Sequence, residues 1–238
     1  MVRAVTFDFW GTLYQNAYAR EERLRLLGAA LERHGQPRAV DELDAAYARA
    51  RAVWDEVWRQ EQRSISIERW LDELLDHLSA RLPDTARSVL GEAIEEVYLA
   101  GDAPRPVPGV RDVVPDLSER YGLGLISDTG LAPGRVLRQV MRRDGLLPYF
   151  EVLTFSDELG TAKPQPEPFH RTLDVLNVMP GEAAHVGDLP ETDLLGARRV
   201  GMKAVLFLGV SHREDGRDLA DGVFEHYGEL RGLLERLR

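Results

Sequence analysis

A chain of 238 residues with 44% hydrophobic content and clear periodicity is long enough to fold as one large domain or as a core with a smaller companion. A net charge of −10, a pI near 5.2 and the lack of any basic tail argue against a nucleic-acid partner, and the absence of cysteine excludes disulfides and thiolate metal sites. No apolar run approaches the ~18 residues that span a bilayer, so no membrane association is expected. The amino terminus runs directly into a strand pattern without a charged leader and apolar signal core, and the lack of cysteine makes a reducing cytoplasm the expected location.

Val2 to Phe7 reads as a short buried strand ending at Asp8, followed by a Gly11-Thr12 turn. From Asn16 to about Gly101 the period becomes helical. Asn16 is placed to cap a helix over Ala17 to His34, which Gly35 stops. Asp41 is placed to cap a second, with Leu43, Ala46, Tyr47, Ala50, Val53, Trp54, Val57 and Trp58 at helical spacing. Further helices are expected over Ile67 to Leu82 and Thr85 to Ala100. The segment "GDAPRPVPG" (Gly101 to Gly109) breaks the pattern as a hinge or linker. Strand and helix then alternate: strand Gly122 to Ser127, helix Pro133 to Arg143, strand Phe150 to Phe155, helix Glu167 to Asn177. Strand Ala183 to Asp188, helix Leu194 to Val200, strand Lys203 to Leu208 and helix Tyr227 to Leu237 complete the chain.

Short apolar strands alternating with amphipathic helices imply an α/β fold, a Rossmann-like parallel sheet covered on both faces. The first strand belongs with the later ones, which makes the helical block an insertion. Residues 1–14 and 105–238 would form the core and 15–104 an all-α cap over the carboxyl ends of the strands, where ligands of open α/β sheets bind.

Candidate chemistry sits at those strand ends. Asp8 taken alone reads as a helix or turn cap accepting from the Gly11 and Thr12 amides. Asp188 and Asp193, five apart in "HVGDLPETD", converge on a hard divalent cation or complement a helix N-terminus. Lys163 is one of two lysines against 28 arginines, and it stands among Pro164, Pro166 and Pro168 as a compact positive charge suited to phosphate or carboxylate. Ser127, followed by Asp128 and Thr129, offers a hydroxyl and loop amides to an anion. His185 lies within a strand and reads as a core residue. The stripe Tyr47, Trp54 and Trp58 reads as the core of the helical block or as the roof of a substrate cavity. Arg20, Arg23 and Arg59 read as surface charge or as contacts to an anionic substrate.

In combination, "DFWGTL", "LISD", "AKPQPEPF" and "HVGDLPETDLLGARRVGM" resemble the four motifs of the haloacid dehalogenase-like superfamily, in the branch with a helical cap after the first motif. The resemblance implies Asp8 as nucleophile and Thr12 as a positioning residue, with Ser127 and Lys163 on the transferring group. It also implies Mg²⁺ held by Asp8, Asp188 and the backbone carbonyl of Trp10, with Asp193 as ligand or support. A small anionic substrate and a monomer or homodimer follow from the same reading, with Trp10, Asp128 and Thr129 on the substrate side.

Trp10 departs from the family's phosphatases, which carry a proton-donating aspartate there. Losing general acid–base assistance costs ~10²–10⁴-fold. An acyl phosphate or phenolic leaving group, an acid such as Asp128, or a halide would each circumvent that loss. The sequence therefore points first to a Mg²⁺-dependent phosphatase. A 2-haloacid dehalogenase-like hydrolase and a catalytically decayed binding or regulatory protein are the alternatives.

Overall fold

Alternation along the first strand sends Val5 and Phe7 to one face of a sheet and Ala4 and Thr6 to the other. In the computed structural model, which describes residues 1–237, that strand is β1 (Ala4–Phe7). It is joined by β2 (Gly122–Ser127), β3 (Val152–Phe155), β4 (Ala183–Gly187), β5 (Lys203–Phe207) and β6 (Gly222–Phe224). The order is β3-β2-β1-β4-β5-β6 and every pairing is parallel. The helices are α1 (Arg20–Arg33), α2 (Val40–Glu56), α3 (Ile67–His77), α4 (Asp84–Glu95), α5 (Val110–Ser118), α6 (Gly134–Arg143), α7 (Ser156–Leu159), α8 (Pro166–Leu176), α9 (Leu195–Val200) and α10 (Tyr227–Arg236).

Val5 and Phe7 pack with Val114, Val136, Leu137 and Leu230 of α5, α6 and α10. Ala4 and Ile126 pack with Phe169 and Leu173 of α8 and Ala197 of α9 on the opposite face. The sheet is thus buried on both sides, which explains why its strands read as nearly unbroken apolar runs. The expected fold class is the one found.

Helices α1 to α4 build a separate core from Leu27, Leu31, Ala46, Tyr47, Trp70, Leu74 and Ile94. The chain leaves the sheet for this helical insert and returns from it as an antiparallel pair. Gln15 N–H donates to Arg105 O and Val107 N–H to Leu13 O, both at 2.9 Å.

Several boundaries differ from the sequence expectation. Asn16 caps no helix: α1 begins at Arg20 after Ala19 in the left-handed region (φ 45°). Residues 16–18 instead line a cavity, and Tyr98 Oη donates to Ala17 O. Ala39, not Asp41, precedes α2, with Glu42 accepting from the Ala39 amide at 2.8 Å. The second helix continues into a wider turn, Val57–Glu61, the third ends at His77, and the fourth ends in a 3₁₀ turn, Glu96–Leu99. Helix α5 and strand β6 lie where no element was expected.

Candidate active site

Strand order reverses between β1 and β4, and the crevice at such a switch point is where doubly wound sheets bind ligands. Asp8 N–H still pairs with Val186 O at 2.9 Å, continuing the β1–β4 ladder for one residue. That places Asp8 beside Gly187 and Asp188. Carboxylate oxygens of Asp8, Asp188 and Asp193 lie within 4.8 Å of one another, all three residues buried.

Lys163, only 2% exposed, bridges two of them: Nζ donates to Asp8 Oδ1 at 2.5 Å and to Asp193 Oδ1 at 2.6 Å. Burial opposes its charge, but Asp193, Asp8 and Asp128 together hold the ammonium above its ordinary range. Burial likewise opposes ionisation of Asp193, yet Lys163 and His185 hold its carboxyl below the usual range. Asp193 is fully engaged, since Oδ1 also accepts from His185 Nε2 (3.2 Å) and Oδ2 from the Leu189 amide (3.0 Å). His185 is itself buried between Thr6 and Asp193, a core residue that orients the acid.

Asp8 and Asp188 are in the opposite situation. Burial pushes Asp8 up, with Asp193 and Asp188 adding repulsion that Lys163 only partly offsets. Asp188 is pushed up to about 7, by burial first and Asp193 second. Its Oδ2 accepts from Ser211 while its Oδ1 is buried without a hydrogen-bond partner. Three buried carboxylates facing one ammonium leave an excess of negative charge that only another cation or protons can relieve. An all-oxygen donor set of this kind suits a hard divalent ion.

The approach of Asp188 depends on an absent side chain. Gly11 has φ +70°, and a Cβ there would overlap Asp188 Oδ2 and lie 2.8 Å from its Cγ. Replacing Gly11 with Ala should cost ~1–3 kcal/mol through overpacking and left-handed strain. Thermal unfolding and turnover of Gly11→Ala, measured together, test this: both should fall, and an unchanged melting temperature would refute the packing argument.

The other expected residues divide. The Thr12 hydroxyl, in the turn after β1, and the Ser127 hydroxyl, at the end of β2, are buried without partners. Tyr227 Oη donates to Thr12 O at 3.0 Å and fixes that turn. Asp128 lies on the cavity wall, accepting from Trp58 Nε1 (3.0 Å) through Oδ2 and from the Lys163 amide (3.0 Å) through Oδ1. Thr129 does not reach the cavity: its hydroxyl donates to Asp157 at 2.9 Å and its amide to Ser156 Oγ at 2.8 Å, which turns it into the loop.

Above the carboxylates is a cavity of about 430 Å³ walled by Trp10, Tyr47, Trp54, Trp58, Trp70 and Tyr98. Tyr47 and Trp70 belong to the insert's core, while Trp54 and Trp58 stack on each other (5.6 Å) over the cavity. The stripe thus contributes to the insert's core through Tyr47 and Trp54, and Tyr47, Trp54 and Trp58 also line the cavity. Arg20 pairs with Asp44 on the surface, Arg59 is exposed at the rim over Trp58, and Arg23 is buried on the wall. Sequence reasoning missed Ser211 and Tyr227, which lie far along the chain in no recognisable motif.

A doubly wound parallel sheet with a buried carboxylate cluster at its switch point, roofed by an inserted helical layer, is an α/β architecture whose acidic site lies at the carboxyl ends of the strands. The haloacid dehalogenase-like hydrolase family profile matches residues 2–201, and the chain belongs to that family. It is 31% identical over 208 residues to a glyceraldehyde 3-phosphate phosphatase of Pyrococcus abyssi, covering 87% of this chain and 82% of that one. The corresponding Pyrococcus furiosus enzyme is 36% identical over 136 residues, where the match spans 56% of this chain and 55% of the other. Among solved structures, a 2-haloacid dehalogenase from Pseudomonas syringae pv. Tomato DC3000 superposes with a TM-score of 0.76 at 28% identity, covering 100% of both chains.

Proposed function

We propose that the protein is a Mg²⁺-dependent phosphatase for a small phosphorylated metabolite, with Asp8 as nucleophile. The observation that carries this reading is the buried Asp8–Asp188–Asp193 cluster, with one oxygen of Asp188 left without a partner. Asp8, Asp188 and the Trp10 carbonyl would hold Mg²⁺, with Asp193 as a further ligand or as the anchor of Lys163. When bound, the ion supplies charge neutralisation between the nucleophile and the phosphate.

Asp8 attacks phosphorus in line; the new bond is Asp8 Oδ–P, and the P–O bond to the leaving group breaks with its electron pair on that oxygen. Lys163, held by Asp193, and the free hydroxyls of Ser127 and Thr12 bind the equatorial oxygens as charge builds on them. Water then cleaves the aspartyl-phosphate, releasing inorganic phosphate and restoring Asp8. Trp10 has no proton to give, so a leaving group stable as an anion, such as the carboxylate released from an acyl phosphate or a phenolate, suits this site best. The helical insert would act as the cap, excluding bulk water from the cavity.

The same indole also favours a second reading. Displacement of halide from a 2-haloacid needs no acid, and the similarity to the 2-haloacid dehalogenase fits it. The acid cluster weighs against it, because a cation beside Asp8 restrains the carboxylate that must attack carbon.

Purified protein assayed on p-nitrophenyl phosphate, acetyl phosphate, an alkyl phosphate and 2-chloropropionate, with Mg²⁺ or EDTA, separates the two. Phosphate release that requires Mg²⁺ supports the phosphatase; chloride release indifferent to EDTA replaces it.

Binding is testable without turnover. Mg²⁺ at a hundredfold excess over its dissociation constant should stabilise the fold by ~2.7 kcal/mol, seen as a rise in melting temperature. Asp188→Asn should abolish that rise while melting higher than wild type without metal, because a repelling buried charge is gone. A Mg²⁺ shift that survives in Asp188→Asn would remove Asp188 from the metal site.

A further inference from the structure

The core loops that follow Ser127 and carry Lys163 are gripped from above by one short piece of the helical insert. Trp58, in the wider turn Val57–Glu61, donates through Nε1 to Asp128 Oδ2 at 3.0 Å. Gln62 O accepts from the Ala162 amide at 2.7 Å, and Gln165 Nε2 donates to Gln62 Oε1. Ser64 Oγ donates to Thr129 O at 2.6 Å and shares a hydrogen bond with Ser156 Oγ at 2.7 Å. Residues 58–64 therefore hold the loop after β2, the start of α7 and the loop before α8 together.

The Lys163 loop depends on such outside support. Pro164, Pro166 and Pro168 have no amide hydrogen, so few backbone donors remain to anchor it. The Ala162 amide is held by the insert directly. The Lys163 amide donates to Asp128 Oδ1 at 3.0 Å, and the other oxygen of that same carboxylate accepts from Trp58. Lys163 then carries its ammonium to Asp8 at 2.5 Å. An unbroken chain of contacts thus runs from the roof of the cavity to the nucleophile: Trp58, Asp128, Lys163, Asp8. Hydrogen bonds to a carboxylate are about twice as strong as neutral ones, so Asp128 is a firm link between roof and loop. The neighbouring roof indole is different, for Trp54 Nε1 is buried without a partner and the link belongs to Trp58.

We infer that Asp128 is a positioning residue, through which the seated insert places Lys163 against the phosphate. The inference rests on the phosphatase reading and adds to it a contact that acts on the rate without touching the reacting atoms. A catalytic group displaced by about 1 Å can lose ~10²-fold in rate, so whatever fixes the Lys163 backbone bears on turnover. A roof that only enclosed the substrate would act through binding. A roof tied to Lys163 acts on kcat, for the smallest substrate as for the largest.

The test uses acetyl phosphate with saturating Mg²⁺, because its leaving group needs no proton. Trp58→Phe keeps an aromatic ring in the wall and deletes the indole N–H. Asp128→Asn keeps the shape but offers a single oxygen to two N–H donors. Each should lower kcat about tenfold, the worth of one hydrogen bond to a charged group, with a smaller change in KM. The double variant should be no slower than the slower single one, since both cut the same chain. Orthovanadate bound with Mg²⁺ imitates five-coordinate phosphorus, and its stabilisation of the fold against heating should weaken in both variants. An unchanged kcat in Trp58→Phe would overturn the inference, and so would losses that multiply in the double variant. A loss in Asp128→Asn confined to alkyl phosphates would make Asp128 a proton donor and overturn it equally. Trp58→Phe decides alone if Asp128→Asn does not fold. Wild-type protein that releases no phosphate from acetyl phosphate with Mg²⁺ would defeat the phosphatase reading and this inference with it; release by the wild type with unaffected variants defeats the positioning role only.

Discussion

Asp8→Asn should abolish turnover, lowering kcat by ~10⁴–10⁶-fold, the range expected when a covalent nucleophile is removed. The substitution is nearly isosteric and leaves Lys163 paired with Asp193, so the fold should persist. It also deletes a buried carboxylate that its neighbours repel, so the melting temperature of the metal-free protein should hold or rise. Activity within tenfold of wild type on acetyl phosphate would remove Asp8 from the role of nucleophile, whichever leaving group the enzyme prefers.

Trp10→Asp should act in the opposite direction. Restoring an acid beside the nucleophile should raise the rate on alkyl phosphates by ~10²–10⁴-fold, with little change on acetyl phosphate, whose leaving group needs no proton. The contrast between substrates is the informative readout, because a general improvement would point to better access instead. The cost falls on stability. Trp10 is half-buried and packs edge-on against Phe9 (4.8 Å) and against Tyr98 (5.6 Å). Removing such a side chain costs ~3–5 kcal/mol, much of a typical stability margin. Assays should run well below the variant's melting temperature. A folded Trp10→Asp protein with no gain on alkyl phosphates would show that the indole does not limit the chemistry.

The sheet was readable because its strands are buried on both faces, and Gly122–Ser127 is bounded as the sequence suggests. What escaped was decided by distant parts of the chain. Helix α5 contains Pro115 and follows a proline-rich hinge, so local signals argue against it, yet Val110, Val114 and Leu117 are buried beneath the sheet. Strand β6 has three residues, too few to show a period. Asn16 is a good cap that the fold uses elsewhere, since the cavity wall holds residues 16–18 out of the helix.

The site shows the same division. Asp8, Lys163, Asp188 and Asp193 were legible because each ends a strand or follows one in a distinctive local pattern. Thr129 sits in such a pattern too, but the hydroxyl's direction depends on Asp157 and Ser156, which no spacing rule connects to it. Ser211 gains its significance only from what surrounds it in space.

The antiparallel strap at Leu13–Gln15 and Arg105–Val107 has a consequence for how such a protein diversifies. Its ladder pins the two ends of the helical segment within one strand spacing, so the sheet is insensitive to what lies between them. Closing a longer loop costs only ~0.6 kcal/mol per doubling of length. A helical insert can therefore be lengthened, trimmed or exchanged at this socket while the carboxylates beneath keep their geometry.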